Sequence, residues 1–406
     1  MSAASFRRLS EISVEGRRVF VRVDMNVPLD HEGKVGDNSR IVASLPTLRY
    51  LIEKGARLVV ASHLGRPKGK PDPKQSLRPV RDALERYLRK KIAFADSAVG
   101  AGAEAASRAL TDGDVLLLEN VRFDPGEEKN DPAYARALAS LGDAYVNDAF
   151  GAAHRAHAST EGITAYLTDC AAGFLLEQEL KALGRLLESP ERPYVAILGG
   201  AKISGKIDVL TNLLPRVDQI VIGGGMMFTF LAAKGIEVGR SLVEKDRVET
   251  ARKLLDDPAA SGKLLLPTDC RVASSVTGED PGRVVPVGSI PADQAGVDIG
   301  PASIAAIGDA LSEARTIFWN GPMGIFEVPA YAEGTLGVAQ VVAQATRRGA
   351  FTVVGGGDSL AAVQQAGVAS RISHLSTGGG ASLEFLEGKT LPGVLALERA
   401  ARAEAR

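Results

Sequence analysis

The chain contains only two cysteines, Cys170 and Cys270, which lie far apart and in no spacing typical of metal ligands. This scarcity excludes a disulfide framework and favours a reducing compartment. No segment reaches the roughly 18 to 20 uninterrupted apolar residues that a membrane helix needs, and the start, MSAASFRRLSEI, has no apolar signal core. We therefore expect a cytoplasmic protein with no membrane partner.

Neither sign of charge is in excess, because 48 basic residues stand against 49 acidic ones. Such a balance gives no general attraction to nucleic acid or to an anionic membrane, so any basic pocket must be local. The expected partners are small molecules, with no nucleic acid among them. A length of 406 residues suits two domains, each large enough to bury most of its apolar surface, with a ligand cleft between them.

Short apolar runs rich in β-forming residues recur along the chain, each followed by a glycine-bearing or polar loop and then by a segment of helical period. This is the pattern of parallel βα units. The runs of the first half are RRVFVRVD, ARLVVASH, KIAFAD, DVLLLEN and DAYVND. Those of the second half are PYVAILGG, QIVIGGG, KLLLPTD, TIFWNG and FTVVGGG.

Between the halves, the segment CAAGFLLEQELKALGRLLES has leucines at helical spacing and ends at Pro190, which predicts a long connecting helix from about Cys170. The expected fold class is α/β, with two doubly wound, Rossmann-like parallel-sheet domains joined by this helix. We expect an N-terminal domain over 1–170, a hinge helix over 171–189, a C-terminal domain over 190–390 and a tail over 391–406.

Ligands of open parallel sheets bind beyond the carboxyl ends of the strands, so the loops after these runs are the candidate sites. Guanidinium and imidazole groups fill the loops of the first half, DMN, SHLGRP, ENVRF and AAHRAHAS. Glycine, lysine and carboxylate groups fill those of the second half, GGAKISGK, GGGMMF, NGPMGIFE and GGGDS. Arginine offers bidentate donors to anionic oxygens, and glycine lets backbone N–H groups approach a phosphate. The first half is therefore predicted to bind a small, densely anionic molecule and the second half a nucleotide.

The stretch FGAAHRAHAST places His154, Arg155 and His157 among small residues. Three functions compete for it: a metal site, an acid/base pair and a cradle for an anion. A metal site is disfavoured because no third ligand lies in helix-spaced reach and no HExxH pattern occurs. The three residues are predicted to donate to an anion, with packing or capping by one or both histidines as the alternative.

Two other nucleotide-binding classes fit the glycine loops poorly. The segment GGAKISGK nearly matches a Walker A loop, but Ile207 stands where that motif needs Ser or Thr to hold a metal. The loops GGGMMF and GGGDSL fail the dinucleotide fingerprint, because Phe228 and Leu360 occupy the third glycine position. The loop STGGGAS instead puts Gly378–Gly380 at the start of an amphipathic helix, where free N–H groups favour a phosphate.

These motifs, taken in order over nearly the whole chain, resemble the phosphoglycerate kinase family. SHLGRP and STGGGASLE are the most diagnostic, alongside FVRVDMNVP, DNSRI, ENVRF, AHRAHAS, LGGAKIS, WNGPMGIFE and GGGDS. The resemblance implies reversible phosphoryl transfer between 1,3-bisphosphoglycerate and ADP, giving 3-phosphoglycerate and ATP. It also implies a monomer whose two domains close about a hinge, and a C-terminal tail that packs back toward the N-terminal domain.

The resemblance also assigns residues to each ligand. The 3-phosphoglycerate pocket would comprise Asp24, Asn26, Arg40, His63, Arg66, Arg122, His154 and Arg155. The nucleotide site would comprise Lys202, Lys206, the Gly223–Gly225 loop, Asn320, Pro322, Glu327, Gly355, Gly356, Gly357, Asp358 and Ser359. Arg40, Lys202 and the N–H groups around Gly379 would act on the transferring group, and Asp358 would hold the Mg²⁺ that accompanies ADP or ATP.

One position departs from the family pattern. Many members have an acidic residue between the two lysines, where this chain has Gly205, so this position offers no carboxylate to a metal. The alternative to an enzyme is a binding protein that kept the fold and lost the chemistry. The presence of Arg40, Lys202 and Asp358 together argues against that alternative.

The separation of the two kinds of loop predicts a conformational change. Because neither half holds donors for both ligands, binding of both should close the cleft, while either ligand alone should do so partly or not at all. Small-angle scattering of the free protein, each binary complex and the ternary complex measures this. A radius of gyration that 3-phosphoglycerate and nucleotide together leave unchanged would contradict the hinge.

Overall fold

A computed structural model of the protein describes residues 6–404. The first five residues of the expected N-terminal domain and the last two of the expected tail lie outside this range. The chain forms two compact units, one made of the residues up to Lys181 together with those from Thr390 onward, the other of Ala182–Lys389. We call them unit 1 and unit 2.

Strands and helices alternate through both units, as expected for βα repeats. The strands are β1 (Arg18–Val23), β2 (Arg57–Ala61), β3 (Ala93–Ala95), β4 (Val115–Leu118), β5 (Ala144–Asp148), β6 (Cys170–Ala172), β7 (Tyr194–Leu198), β8 (Gln219–Ile222), β9 (Leu264–Leu265), β10 (Asp269–Ala273), β11 (Arg283–Pro286), β12 (Ala295–Ile299), β13 (Thr316–Asn320), β14 (Phe351–Gly355) and β15 (His374–Ser376). The helices are α1 (Ser39–Glu53), α2 (Arg78–Leu88), α3 (Ala101–Arg108), α4 (Pro125–Glu128), α5 (Pro132–Ala139), α6 (Phe174–Glu188), α7 (Ile207–Leu213), α8 (Met226–Ala233), α9 (Val248–Asp256), α10 (Pro301–Ala310), α11 (Glu333–Arg347), α12 (Gly357–Gln365), α13 (Gly380–Leu386) and α14 (Pro392–Glu404).

Each unit is built on a six-stranded sheet whose strands are all parallel. The order is β3-β4-β2-β1-β5-β6 in unit 1 and β15-β14-β13-β7-β8-β9 in unit 2. The non-edge strands β4, β5, β7 and β13 are buried at every residue. Burial on both faces requires the continuous apolar runs seen in the sequence, because helices cover both sides of such a sheet. The predicted α/β class with two parallel-sheet domains is confirmed.

All ten predicted runs contain a strand, but the sequence pattern missed five others. β6 and β15 are three-residue edge strands with the sequences CAA and HLS, which contain no run of β-branched or aromatic residues. β10, β11 and β12 form a separate antiparallel sheet in unit 2. Its outer strand β11 is largely exposed, so it lacks the apolar run that marked the parallel strands.

The connecting helix begins later than the leucine spacing predicted. α6 starts at Phe174 rather than near Cys170, because Cys170–Ala172 form β6 and pair with Tyr145–Asn147 of β5. α6 contains both Lys181, which belongs to unit 1, and Ala182, the first residue of unit 2. Of the residues described, no helix is both long and apolar enough to cross a membrane.

The described part of the C-terminal tail is a helix that belongs to unit 1. The backbone N–H of Gly393, near the start of α14, donates to the carbonyl of Ala153 at 2.9 Å. A Cβ on Gly393 would approach Ala153 and the amide of Asn147 at 3.2 Å. The tail is thus fitted closely against the segment that follows β5.

The start of α6 is held by a fully buried carboxylate. Asp148, the last residue of β5, accepts from the N–H groups of Leu175 at 2.9 Å and Leu176 at 3.3 Å. These are first-turn donors that have no partner within the helix. Burial raises the pKa of Asp148 to about 7, although the Thr47 hydroxyl and the two N–H groups pull it the other way.

This carboxyl should make stability depend on pH. A pKa raised on folding stabilises the folded state while the group is protonated, and that contribution is lost as pH rises from the unfolded pKa toward 7. Between pH 5 and pH 8 the parent should lose about 2 to 3 kcal/mol of unfolding free energy relative to Asp148→Asn, which keeps an acceptor but does not titrate. Urea unfolding at both pH values measures this, with Asp309→Asn, an exposed aspartate, as the control. Parallel pH profiles for parent and Asp148→Asn would contradict the assignment.

Candidate functional site

The predicted anion-binding residues of unit 1 gather at one edge of its sheet. Asp24 directly follows β1, His63 lies two residues beyond the end of β2, and Arg122 lies four residues beyond β4. The segment with His154 and Arg155 follows β5. Because parallel strands end at the same edge, four loops far apart in sequence converge there.

An ion pair links the first of these loops to α1. Nη1 of Arg40 lies 2.6 Å from Oδ2 of Asp24, whose side chain is 9% exposed. The Arg40 side chain is 31% exposed, so it keeps access to solvent while one of its edges is held. Asn26, two residues after Asp24, accepts through Oδ1 from the N–H of Gly65 at 2.8 Å. The loops after β1 and β2 are thereby tied together.

Asn120 and Arg122 hold the loop after β2 from its other side. Nδ2 of Asn120 donates to the carbonyls of Leu64, at 2.7 Å, and Gln75, at 2.8 Å. Nη1 of Arg122 donates to the carbonyl of Gly65 at 3.0 Å, and the Arg122 side chain is only 7% exposed. The backbone of this loop is therefore fixed, while Arg66 within it is exposed.

Positive charge is concentrated in this cluster. Burial, followed by the positive charges of Arg22, Arg122 and Arg40, holds the pKa of His63 well below its usual value. Burial and the neighbouring Arg22 likewise lower the pKa of Arg122 to about 10. A bound anion would relieve mutual repulsion of this kind, so the cluster is compatible with the predicted anion site.

The two histidines of the stretch FGAAHRAHAST differ in environment. Arg155 is exposed, and its Nε donates to Nε2 of His154 at 3.1 Å. His157 is buried, and burial together with Arg122 and Arg22 lowers its pKa to about 3. His157 is thus neutral and packed inside unit 1, while His154 and Arg155 lie nearer the surface. The assignment of His154 and Arg155 to an anion stays a prediction.

Three buried residues behind the cluster were not predicted. Arg22 lies within β1, Glu127 within α4 and Ser159 in the segment after β5, and none of the three is exposed. Nε of Arg22 donates to Oγ of Ser159 at 2.7 Å, and that hydroxyl donates to Oε1 of Glu127 at 2.6 Å. A charged residue inside the apolar run VFVRVD was the sequence signal that would have identified Arg22.

In unit 2, three loops at the ends of β7, β8 and β13 pack backbone against backbone. The N–H of Gly200 donates to the carbonyl of Pro322 at 2.8 Å, and that of Gly224 to the carbonyl of Met323 at 3.0 Å. Gly224 has φ +64° and Gly321 has φ +95°, which side chains rarely allow. A Cβ on Gly224 would strike the backbone of both Gly200 and Pro322. These glycines are therefore required by loop packing, independently of any ligand.

Around these loops the structure brings together several predicted nucleotide residues. Nζ of Lys206 donates to Oδ1 of Asn320, and Nδ2 of Asn320 donates to the carbonyl of Gly355 at 2.7 Å. The N–H of Gly321 donates to Oγ of Ser359 at 2.7 Å. Burial lowers the pKa of Lys206 to about 8, while the charge of Asp358 acts to raise it.

Other predicted residues lie at the surface of unit 2. Lys202, Glu327 and Asp358 are exposed, and Asp358 is in the first turn of α12. Gly223 lies against Met323, where an added Cβ would strike the sulfur atom. Gly356 and Gly357 lead into α12, and Gly379, with φ +54°, precedes α13. Within residues 6–404 no three His, Cys, Asp or Glu side chains are grouped to hold a metal ion.

Taken together, these features define an α/β protein with an arginine and histidine cluster in one parallel-sheet unit and glycine- and lysine-bearing loops at the strand ends of the other. The family model described as phosphoglycerate kinase matches residues 9–389. This chain belongs to the phosphoglycerate kinase family.

Two similar proteins and one solved structure support membership of this family. The phosphoglycerate kinase of Prosthecochloris aestuarii is 54% identical over 392 residues, which cover 96% of this chain and 99% of the relative. That of Thermosynechococcus vestitus is 52% identical over 401 residues, covering 98% and 100%. The solved phosphoglycerate kinase of Coxiella burnetii superposes with a TM-score of 0.87 at 40% identity, covering 98% of this chain and all of that one.

The backbone packing in unit 2 generates a stability prediction. Gly224→Ala should lower the unfolding free energy by at least about 1 to 2 kcal/mol, which is the cost of a left-handed φ for an L-residue. The clash of the new Cβ with the backbone of Gly200 and Pro322 should lower it further. Gly205→Ala is the matched control, since a Cβ there meets nothing within 4 Å. Thermal unfolding by circular dichroism compares the two variants. Equal midpoints would show that the loops after β7 and β8 are not in backbone contact.

Proposed function

We propose that this chain reversibly transfers a phosphoryl group between the acyl phosphate of 1,3-bisphosphoglycerate and ADP, giving 3-phosphoglycerate and ATP. Membership of the phosphoglycerate kinase family supports the reaction. The observation that carries the proposal is the crowding of positive charge around His63 and Arg122, which adds to burial in lowering the pKa of both. Such a cluster suits a ligand with several anionic oxygens, as phosphoglycerates are.

Unit 1 would bind 3-phosphoglycerate. Arg122 is fixed by its bond to Gly65, and Arg40 by its bond to Asp24, so both guanidinium groups are oriented before the ligand arrives. Pre-orientation reduces the entropy lost on binding. Arg66, His154 and Arg155 lie nearer the solvent and would close around the ligand, with Asp24 and Asn26 holding the loops.

Unit 2 would bind the nucleotide. Backbone N–H groups of the glycine loops and the ammonium of Lys206 would meet the phosphates. Lys206 is held by Asn320, which is in turn held by Gly355, so the loops after β7, β13 and β14 act together. Pro322, Glu327, Gly357 and Ser359 complete the assigned set.

The donor chemistry of unit 2 fits a Mg²⁺ ion that arrives with the nucleotide. Asp358 offers one exposed hard oxygen ligand, and the absence of a three-ligand protein cluster among the described residues suits an ion that takes its other ligands from phosphates and water. Asp358 would hold the ion, with no carboxylate at Gly205 to help. When bound, Mg²⁺ supplies charge neutralisation at the phosphates.

The residues of the chain contribute mainly positioning and charge. Phosphoryl transfer needs an in-line approach and stabilisation of negative charge on the transferring group. Arg40 from unit 1, Lys202 from unit 2 and the N–H groups around Gly379 would supply that charge. We further propose that α6, which both units share, is the hinge about which the bound ligands approach each other. A monomer in the cytoplasm, the compartment of glycolysis, is sufficient for this reaction.

A coupled assay with 3-phosphoglycerate and MgATP tests the proposal. Arg40→Ala and Lys202→Ala should each lower kcat by two or more orders of magnitude, on the order of the loss for one charge-stabilising donor, with much smaller changes in ligand affinity. Lys234→Ala, an exposed lysine at the end of α8, is the control. Absence of turnover in the parent, with both ligands still binding, would favour a binding protein that lost the chemistry.

A further inference from the structure

Arg22 is a fully buried guanidinium whose nitrogens are all engaged. Nε donates to Ser159 at 2.7 Å, Nη1 donates to the carbonyl of Val23, and Nη2 lies 3.1 Å from Nδ1 of His63. The guanidinium is planar and its donors are arranged in a fixed fork, so three simultaneous contacts leave it one orientation. Arg22 therefore acts as a rigid connector between Ser159 and His63.

The contact with His63 determines where that imidazole carries its proton. A guanidinium has donors only and is always charged in proteins, so Nδ1 of His63 must be the acceptor. An accepting Nδ1 bears no proton, which leaves the single ring proton on Nε2. Nδ1 is also the one ring nitrogen of His63 with a hydrogen bond among the described residues. The N–H on Nε2 is thus available to a ligand.

A buried carboxylate balances the charge of Arg22 and holds its partner. Ser159 is bonded twice to Glu127, through its hydroxyl to Oε1 at 2.6 Å and through its N–H to Oε2 at 3.0 Å. His157 does not compete for this charge. Its Nδ1 is 3.9 Å from Oε1, too far for a hydrogen bond, and its low pKa keeps it neutral. Glu127 is therefore the counter-charge of Arg22.

We propose that Ser159 and Glu127 are positioning residues that, through Arg22, fix His63 as a neutral hydrogen-bond donor with its proton on Nε2. The chain of contacts runs from Glu127 through the Ser159 hydroxyl and the Arg22 guanidinium to Nδ1 of His63. The role as donor to 3-phosphoglycerate rests on the proposed function. The tautomer itself does not, because it follows from contacts within unit 1.

A fixed neutral donor has a consequence for pH dependence. The charged groups that act on His63 are Arg22, Arg122 and Arg40, with Asp24 paired to Arg40 and neutral His157 beside them. The affinity for 3-phosphoglycerate should therefore show no step from His63 between pH 5.5 and pH 8. A histidine that bound the ligand as imidazolium would lose affinity through its ordinary titration range instead.

Long-range ¹H–¹⁵N spectra of ¹⁵N-histidine-labelled protein test the tautomer directly, with His63→Gln used only to assign the signal. The parent should show a protonated Nε2 and an unprotonated Nδ1 from pH 5.5 to pH 8. Ser159→Ala and Glu127→Gln should each weaken this preference and raise KM for 3-phosphoglycerate about tenfold, the loss expected for one hydrogen bond to a charged ligand. KM for ATP should not change, and Ser159→Thr, which keeps the hydroxyl, should restore the parent values.

Two results would overturn the proposal. One is a proton on Nδ1 of His63 in the parent. The other is a Ser159→Ala protein that folds, by circular dichroism, with the parent's His63 signals and the parent's KM for 3-phosphoglycerate. If Ser159→Ala fails to fold, the His63 signals of Glu127→Gln and of the parent still test the proposal. Should the parent lack kinase activity, the proposed function fails on its own, while calorimetric binding of 3-phosphoglycerate replaces KM in the comparison.

Discussion

Parallel pairing of β1 with β2 and β5 is the constraint on which unit 1 depends. In that register Arg22 lies beside Ala61 and Asn147, and Val23 beside Asp148. The loops that follow these strands must therefore begin side by side, whatever their separation in sequence. Short bonds then fix them further, as when Ser62 accepts from the N–H of Met25 at 2.9 Å. The anion cluster is a product of strand register first and of side-chain chemistry second.

The cluster brings several positively charged side chains close together, which destabilises the folded state. Burying a guanidinium costs free energy unless a carboxylate and further acceptors compensate it, and Glu127 and Ser159 supply this compensation for Arg22. Arg122 has a weaker counter-charge, since Glu128 lies 3.5 Å away and is itself 41% exposed. Part of the positive charge of the cluster is thus not balanced by a buried carboxylate, an arrangement common at functional sites, where stability is exchanged for binding.

Much of this architecture could be predicted from the sequence, since buried parallel strands need continuous apolar runs and ten of them were visible. The edge strands β6 and β15 could not be, because CAA and HLS contain no run of β-branched or aromatic residues, whereas the similarly short β3 and β9 lie within the apolar runs KIAFAD and KLLLPTD. Glycine loops pointed to phosphate binding, but they did not show that Gly224 and Gly321 are also needed for backbone contact. The buried bonds of Arg22, Ser159 and Glu127 join residues 32 to 137 positions apart, so only the folded chain reveals them.

The place of α14 has a consequence for how the polypeptide acquires its structure during translation. Unit 2 is an insertion within unit 1, because the chain leaves unit 1 after Lys181 and returns to it at Thr390. The ribosome therefore delivers the whole of unit 2 before it delivers α14, whose Gly393 bonds to Ala153. Domains generally fold as units while the chain emerges. Unit 2 is thus the first unit whose sequence has been fully translated. Unit 1 lacks part of its structure until α14 has been synthesised.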